Sequence, residues 1–412
     1  MASHAPQTDI CPAVGLDRVW RVGKHVAELD GLRGFAILIV TLYRFSKEIP
    51  TDSALGHFMH LGASFGSRGV ELFFVLSGFL ITGILIDAKD QPHYFRNFIA
   101  RRSLRIFPLY FATLIALVVA GHLIPAMRSM FHDAIDNQFY LWTYLVNVKM
   151  SVADQWCFGY LDHFWSLAVE EHFYLVWPFV LYLISSKVAL RTAVGLAIVS
   201  ATARIAFVLL SDNGVAPDVL TLFRCDALLI GAAIALIARQ PRGLEPLKRW
   251  LPITTVVGGL FVVACGVTEK RFFTIPLTIW PIVWGGILIW LLTANRSAPL
   301  ARFFNLKFLR TLGKYSYAMY VFQNPLIPLT SAVVSVAAFE TLVGGPLLAN
   351  MLYIGVMFVL TYAAAVLSWN VLERHCLQLK RWFPTDGSED AAARKNKKST
   401  AGVFVPSNVP AN

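Results

Sequence analysis

The sequence predicts an all-α, multispanning membrane protein with about ten transmembrane helices and both termini cytoplasmic. Of its 412 residues, 56% are hydrophobic and only 15% charged, too few polar side chains to cover a soluble surface. Apolar runs of spanning length recur at 29–47, 68–87, 104–124, 164–184, 190–210, 219–238, 250–267, 273–293, 313–336 and 346–371. Lys and Arg divide unevenly between the two sides of those runs. The side that holds both termini has 27 of them, the other side has 6, and 3 lie within helices, which is the bias of cytoplasmic loops. The net charge of +11 therefore expresses topology, not a nucleic-acid surface.

Taken in order, residues 1–27 form a cytoplasmic segment with no apolar core, so the first span serves as its own insertion signal. That span carries Arg33 and Arg44 eleven positions apart, about three helical turns, which puts both on one helix face. With Glu28 and Asp30 in the same helix, the face must meet protein or a wet cavity, because charges against lipid cost several kcal/mol each. The second span opens with Arg68 and Glu71, and Gly69, Ser77 and Gly78 are expected to let neighbouring helices approach closely. The third is entered by Arg101, Arg102 and Arg105, followed by Pro108 and Tyr110. Within the long external segment 125–163, the apolar piece 139–148 is too short to span and reads as a re-entrant or interfacial helix over a cavity.

At the fourth span His163, Ser166, Glu170, Tyr174 and Trp177 recur at three and four and so share one face. Arg204 lies in the fifth span, and Arg224 and Asp226 in the sixth. Trp280, Trp284 and Trp290 read as packing and interface anchors. Glu373 and Arg374 end the last span as a solvated terminus, and 384–412, rich in Ser, Lys and Asn, reads as a disordered cytoplasmic tail. The five cysteines are scattered without paired or ligand-like spacing, which predicts free thiols and no metal.

Sorted by depth, the ionisable residues form two layers. The inner one is basic: Arg33, Arg101, Arg102 and Arg105, with Arg101 and Arg105 on one face, an arrangement suited to phosphates. Its bland counterpart is the positive-inside bias alone. The outer layer is mixed: Arg44, Arg68, Glu71, His163, Glu170, Glu171, His172, Arg204, Arg224 and Asp226. Carboxylates beside the aromatic rings of Tyr174 and Trp177 suit a hydroxyl-rich substrate. The competing reading is a buried ion-pair network, such as Arg204 to Glu170, that only fixes helix packing.

Six blocks in order carry a resemblance: Glu28-Leu-Asp-Gly-Leu-Arg-Gly34, Gly69 to Ile81, Arg101-Arg-Ser-Leu-Arg-Ile-Phe-Pro-Leu-Tyr110, His163 to Tyr174, Arg224 to Gly231, and Leu312-Gly-Lys-Tyr-Ser-Tyr317. Across 28–376 the chain resembles the acyltransferase-3 family of integral membrane O-acyltransferases. The resemblance implies transfer of an acyl group, commonly acetyl, from cytoplasmic acyl-CoA to a hydroxyl of a sugar, cell-surface glycan or lipid-linked carbohydrate, in the bacterial cytoplasmic membrane. It assigns Arg33, Arg101, Arg102, Arg105 and Tyr110 to the donor, and Glu71, Tyr174, Arg204, Arg224 and Asp226 to the acceptor.

The chain departs from the family pattern at two places. A histidine thought to act as base is replaced by Arg44, and a second histidine near Pro325 by Gln323. Arginine stays protonated and is a poor base. Base duty is therefore expected on His163 and Glu170, with Arg44 stabilising oxyanion charge or orienting a carboxylate acceptor. The alternative is a non-catalytic relative, a glycan or lipid carrier or partner subunit, that lost the base. A secondary transporter ranks third, since no internal repeat is evident.

Overall fold

A computed structural model describes residues 26–254, 256–258, 260, 277–295 and 297–384. Among these there is helix and no strand. The principal helices are α1 (Ala27–Phe45), α2 (Gly69–Asp87), α3 (Tyr94–Leu123), α4 (Trp165–Leu183) and α5 (Ser186–Leu210), followed by α6 (Thr221–Ala238), α7 (Ile279–Thr293), α8 (Lys307–Phe322) and α9 (Pro346–Ser368). Five stretches are long and apolar enough to cross a membrane: Ala54–Asp87, Tyr94–Leu123, Ser186–Leu210, Ala216–Ala238 and Pro346–Trp382. By contrast α1 carries Glu28, Asp30, Arg33 and Arg44, and α7 has only 15 residues. Half of the expected span 250–267 lies outside the described residues, as do most of the tail and Cys11 and Cys265.

One expected span is not a single helix. The run 313–336 divides into α8, the short helix Leu326–Thr330 and the start of Val336–Val343. Pro325 follows Gln323 and Asn324 at the first break, where a ring without N–H cannot continue the backbone ladder. The segment 125–163 is likewise a chain of short pieces, Pro125–Met130, His132–Asp136, Gln138–Trp142 and Val146–Ala153, ending in the 3-10 turn Gly159–Phe164.

Glycine sets two close crossings between the principal helices. A Cβ on Gly34 would fall 1.8 Å from the Leu309 carbonyl oxygen, and one on Gly313 would fall 1.9 Å from that of Asp30. Backbones of α1 and α8 therefore touch directly, as small residues permit in membranes. Gly78 and Gly231 do the same for α2 and α6, with would-be contacts of 1.9 and 2.0 Å to the carbonyls of Leu228 and Val75. Between these two tight pairs α3 and α4 pack less closely, and the polar residues of α1, α2, α3, α4 and α8 line the space left there.

Past α9 the helix widens into a π turn, Trp369–Glu373, then continues as Arg374–Gln378 and the 3-10 turn Leu379–Trp382. Glu373 is buried there and accepts a hydrogen bond from Ser368 Oγ at 3.1 Å, so it is not the solvated terminus expected of it.

Candidate active site

Two polar cavities share Val70 as a wall. The first is basic and narrow, about 90 Å³, and includes Arg33 from α1, Arg102 and Arg105 from α3, Glu170 and Glu171 from α4, and Tyr320 from α8. The second is wide, about 890 Å³, and mixed in charge: Arg44, Lys47, Arg68 and Arg224 face Glu48, Glu71, Asp162 and Asp218. Its rim includes Trp156 and Tyr160 from the segment after α3.

The basic cavity is organised around Glu170. Tyr174 donates its hydroxyl to Glu170 Oε2 at 3.0 Å and forms a short hydrogen bond with Ser77 Oγ. Above the Tyr174 ring stands the Arg102 guanidinium, 5.8 Å from the centroid, close enough for a cation–π contact. Ser77 thus serves the cavity, while its neighbour Gly78 serves helix packing.

Between the cavities lies His163, fully buried. Its carbonyl accepts from Tyr320 Oη at 2.9 Å and from Ser166 Oγ at 3.2 Å, both groups of the basic cavity. Its ring Nδ1 lies 3.1 Å from Asn324 Nδ2, a residue of the mixed cavity. Nε2 has no hydrogen-bond partner. Asn324 Oδ1 is also without a partner, so either amide orientation satisfies Nδ1 and leaves Nε2 as the free atom of the ring. Hydrogen bonds through His163 thus link Tyr320 and Ser166 of the basic cavity to Asn324 of the mixed one.

Several residues lie elsewhere than the sequence suggested. Glu170, Glu171 and Tyr174 belong to the basic cavity, not the mixed one. At about 1.5 Å per residue, Glu170 lies roughly 10 Å further along the helix than His163, enough to change layers. Arg101 does not line the basic cavity with Arg102 and Arg105; its Nη1 donates to the carbonyls of Phe383 at 2.9 Å and Lys380 at 3.4 Å. Tyr110 lines neither cavity: it donates to the Leu141 carbonyl at 2.8 Å and stacks on Tyr144. Arg204 pairs with Asp226 at 3.0 Å, not with Glu170, and neither of the two lines a cavity. His172 instead bonds Thr221. Arg224 and Glu71 do line the mixed cavity, joined at 2.8 Å, with Arg68 3.6 Å from the same carboxylate oxygen.

An acyltransferase-domain profile matches residues 26–369. The chain belongs to the acyltransferase-3 family. It is 29% identical over 339 residues to the peptidoglycan O-acetyltransferase OatA of Listeria monocytogenes, covering 76% of this chain and 51% of that protein. The protein YrhL of Bacillus subtilis is 32% identical over 341 residues, 75% of this chain and 50% of YrhL. The O-acetyltransferase OatA of Staphylococcus aureus is 27% identical over 333 residues, 74% of this chain and 51% of that protein. The chain thus spans about half the length of the curated relatives it matches. No solved structure matches it.

Within this acyltransferase-3 chain, the end of α8 meets α1 at Gln323, one turn of α1 from Arg44. Gln323 is fully buried and accepts a hydrogen bond from Thr41, one turn before Arg44 on α1, at 3.3 Å. Sequence reasoning missed Tyr320, Asn324 and Asp162. The helix-breaking Pro325 was the available signal for Asn324. Among the described residues no cluster of three or more His, Cys, Asp or Glu could hold a metal.

Asp162 gives the mixed cavity a pH dependence. Burial pushes its carboxyl up to about 6, against the pull of the Phe158 N–H and of Arg44. Below that pH the group is neutral and its negative charge no longer offsets Arg44 and Lys47. An anionic sugar, such as a uronic acid oligomer, is expected to bind a few-fold more tightly at pH 5 than at pH 7. In Asp162→Asn that difference disappears, whereas a neutral oligosaccharide shows none in either protein. Calorimetric titration at the two pH values reads this directly.

Proposed function

We propose that the protein is a membrane O-acyltransferase that carries an acetyl group from acetyl-CoA, bound at the basic cavity, to a hydroxyl of a glycan held in the mixed-charge cavity. Peptidoglycan, the acceptor printed in the name of the Listeria relative, is the first acceptor to test. In this reading ten helices cross the bacterial cytoplasmic membrane, both termini and the basic cavity face the cytoplasm, and the mixed cavity faces outward. The catalytic unit is 28–376, with 1–27 and 384–412 as cytoplasmic extensions.

The observation that carries this reading is the junction. A cationic site suited to a polyphosphate donor and a polar cavity wide enough for a sugar are joined through one buried imidazole, hydrogen-bonded to Tyr320 and Ser166 of the first and Asn324 of the second and left with one free nitrogen. His163 Nε2 takes the proton of the acceptor hydroxyl as its oxygen attacks the thioester carbonyl. Arg44 stabilises the oxyanion that forms. Collapse breaks the carbon–sulfur bond, and the coenzyme A thiolate leaves and takes the proton from the His163 imidazolium, which restores the base. Glu170, held by Tyr174 beside Arg33 and Arg102, orients the donor.

The test is acetyl transfer in proteoliposomes loaded with radiolabelled acetyl-CoA and given peptidoglycan fragments outside. Label in the fragments supports the proposal. The alternative, a carrier or partner subunit on the same scaffold, draws its support from Arg44 and Gln323 at the family's histidine positions. It predicts glycan binding without acetyl-CoA binding and without label.

A further inference from the structure

The segment that follows α9 lies against the cytoplasmic end of α3 and is held there by four contacts. Arg101 Nη1 donates to the carbonyls of Lys380 and Phe383 at 3.4 and 2.9 Å. Asn97 Nδ2 donates to the carbonyl of Pro384 at 2.7 Å, and the Arg96 guanidinium stands 6.0 Å from the centre of the Phe383 ring. Asn97, Arg101 and Arg105 recur every four residues on α3, so the face that clamps this strap continues into the face that lines the basic cavity.

The clamp holds a lysine in an unfavourable place. Lys380 is half-buried on the strap that Arg101 holds against α3, one helical turn from Arg105, with Arg102 and Arg33 adding charge of the same sign. Three of these line the basic cavity. Gathering five cations costs repulsion that is weakly screened away from bulk water, and a flexible lysine side chain is ordinarily free to swing away. The backbone of Lys380 is instead fixed by Arg101 on α3, which is also where the sequence pattern had placed a donor-binding arginine. A bound polyanion would turn that repulsion into attraction.

Building on the donor-site reading above, we infer that Lys380 is a phosphate-binding residue for a coenzyme A-type donor, and that Arg101 and Asn97 are positioning residues that present it by clamping the strap 379–384. Arg33, Arg102 and Arg105 then meet the donor from within the helix bundle and Lys380 meets its phosphates from the chain that closes the entrance. The donor site is thereby assembled from both ends of the sequence, with α1 and α3 on one side and the residues after α9 on the other.

The test compares a donor that carries phosphates with one that does not, using the full chain in nanodiscs. In Lys380→Ala and Arg101→Ala, the Kd and KM for acetyl-CoA are expected to rise about tenfold, the scale of one charge-assisted hydrogen bond. Lys380→Arg is expected to retain wild-type values. Turnover of S-acetylpantetheine, which has no phosphate, is expected to be unchanged in all three variants and so reports that the fold is intact. The inference is overturned if Lys380→Ala binds acetyl-CoA like the wild type, or if both donors weaken equally. Wild-type protein that turns over S-acetylpantetheine but gains nothing from the phosphates of acetyl-CoA overturns the inference and leaves the acyltransferase reading standing. Wild-type protein that uses neither donor overturns both.

Discussion

Replacing His163 with glutamine is expected to lower acetyl transfer by about 10²- to 10⁴-fold, the usual contribution of a positioned general base, while acetyl-CoA affinity stays within about twofold. The asymmetry follows from position. His163 lines neither donor nor acceptor cavity yet is bound to both, through its carbonyl to Tyr320 and Ser166 and through Nδ1 to Asn324. Glutamine retains a hydrogen-bonding end for Asn324 and much of the ring's volume but supplies no base at neutral pH. Single-turnover transfer with acetyl-CoA in excess isolates the chemical step. Glu170→Gln separates the two candidates, because the amide still accepts from Tyr174 but loses the charge set against Arg33 and Arg102. It is expected to raise KM for acetyl-CoA more than it lowers kcat. The reverse pattern, with kcat lost in Glu170→Gln and kept in His163→Gln, would move the base to Glu170 and end the assignment made to the imidazole.

The sequence revealed which residues cluster better than it revealed how deep they lie. The face His163, Ser166, Glu170, Tyr174 and Trp177 is real, because helical periodicity alone determines it. That face runs from the cavity junction through the basic cavity to Thr82, to which Trp177 donates at 2.8 Å. Depth was misjudged for Glu170 because a single acceptor layer was drawn around residues that span several helical turns. Arg101 was misjudged for a different reason. Facing α8 and α4, Arg102 and Arg105 enter the cavity, whereas Arg101 faces a strap nearly 280 positions later in the chain, a contact no local pattern encodes. Gly78 is a contact residue, as its place in an apolar span suggests, and faces the Leu228 carbonyl across a helix crossing; Gly34 faces that of Leu309 in the same way, although the charged first helix does not single it out. The break after α8 was legible in principle from Pro325, but the surrounding apolar run masked it.

The second large effect is expected on stability rather than on chemistry. Arg204 is completely buried; it pairs with Asp226 at 3.0 Å and donates to the Phe223 carbonyl, while Thr278 bridges the same carboxylate. This joins α5, α6 and the start of α7 at one point. Removing the carboxylate in Asp226→Ala leaves a guanidinium buried without its counter-charge, a change that costs about 3–5 kcal/mol when one partner of a buried pair is lost. The unfolding midpoint in detergent should fall accordingly. Replacing both charges, as in Arg204→Met with Asp226→Leu, should recover most of that loss, because the desolvation cost of the pair goes with its attraction. The protein that stays folded in either variant should bind the acceptor glycan with wild-type affinity, since neither residue lines a cavity. A full loss of glycan binding in the folded double variant would instead restore Arg204 and Asp226 to the acceptor set from which their position removes them.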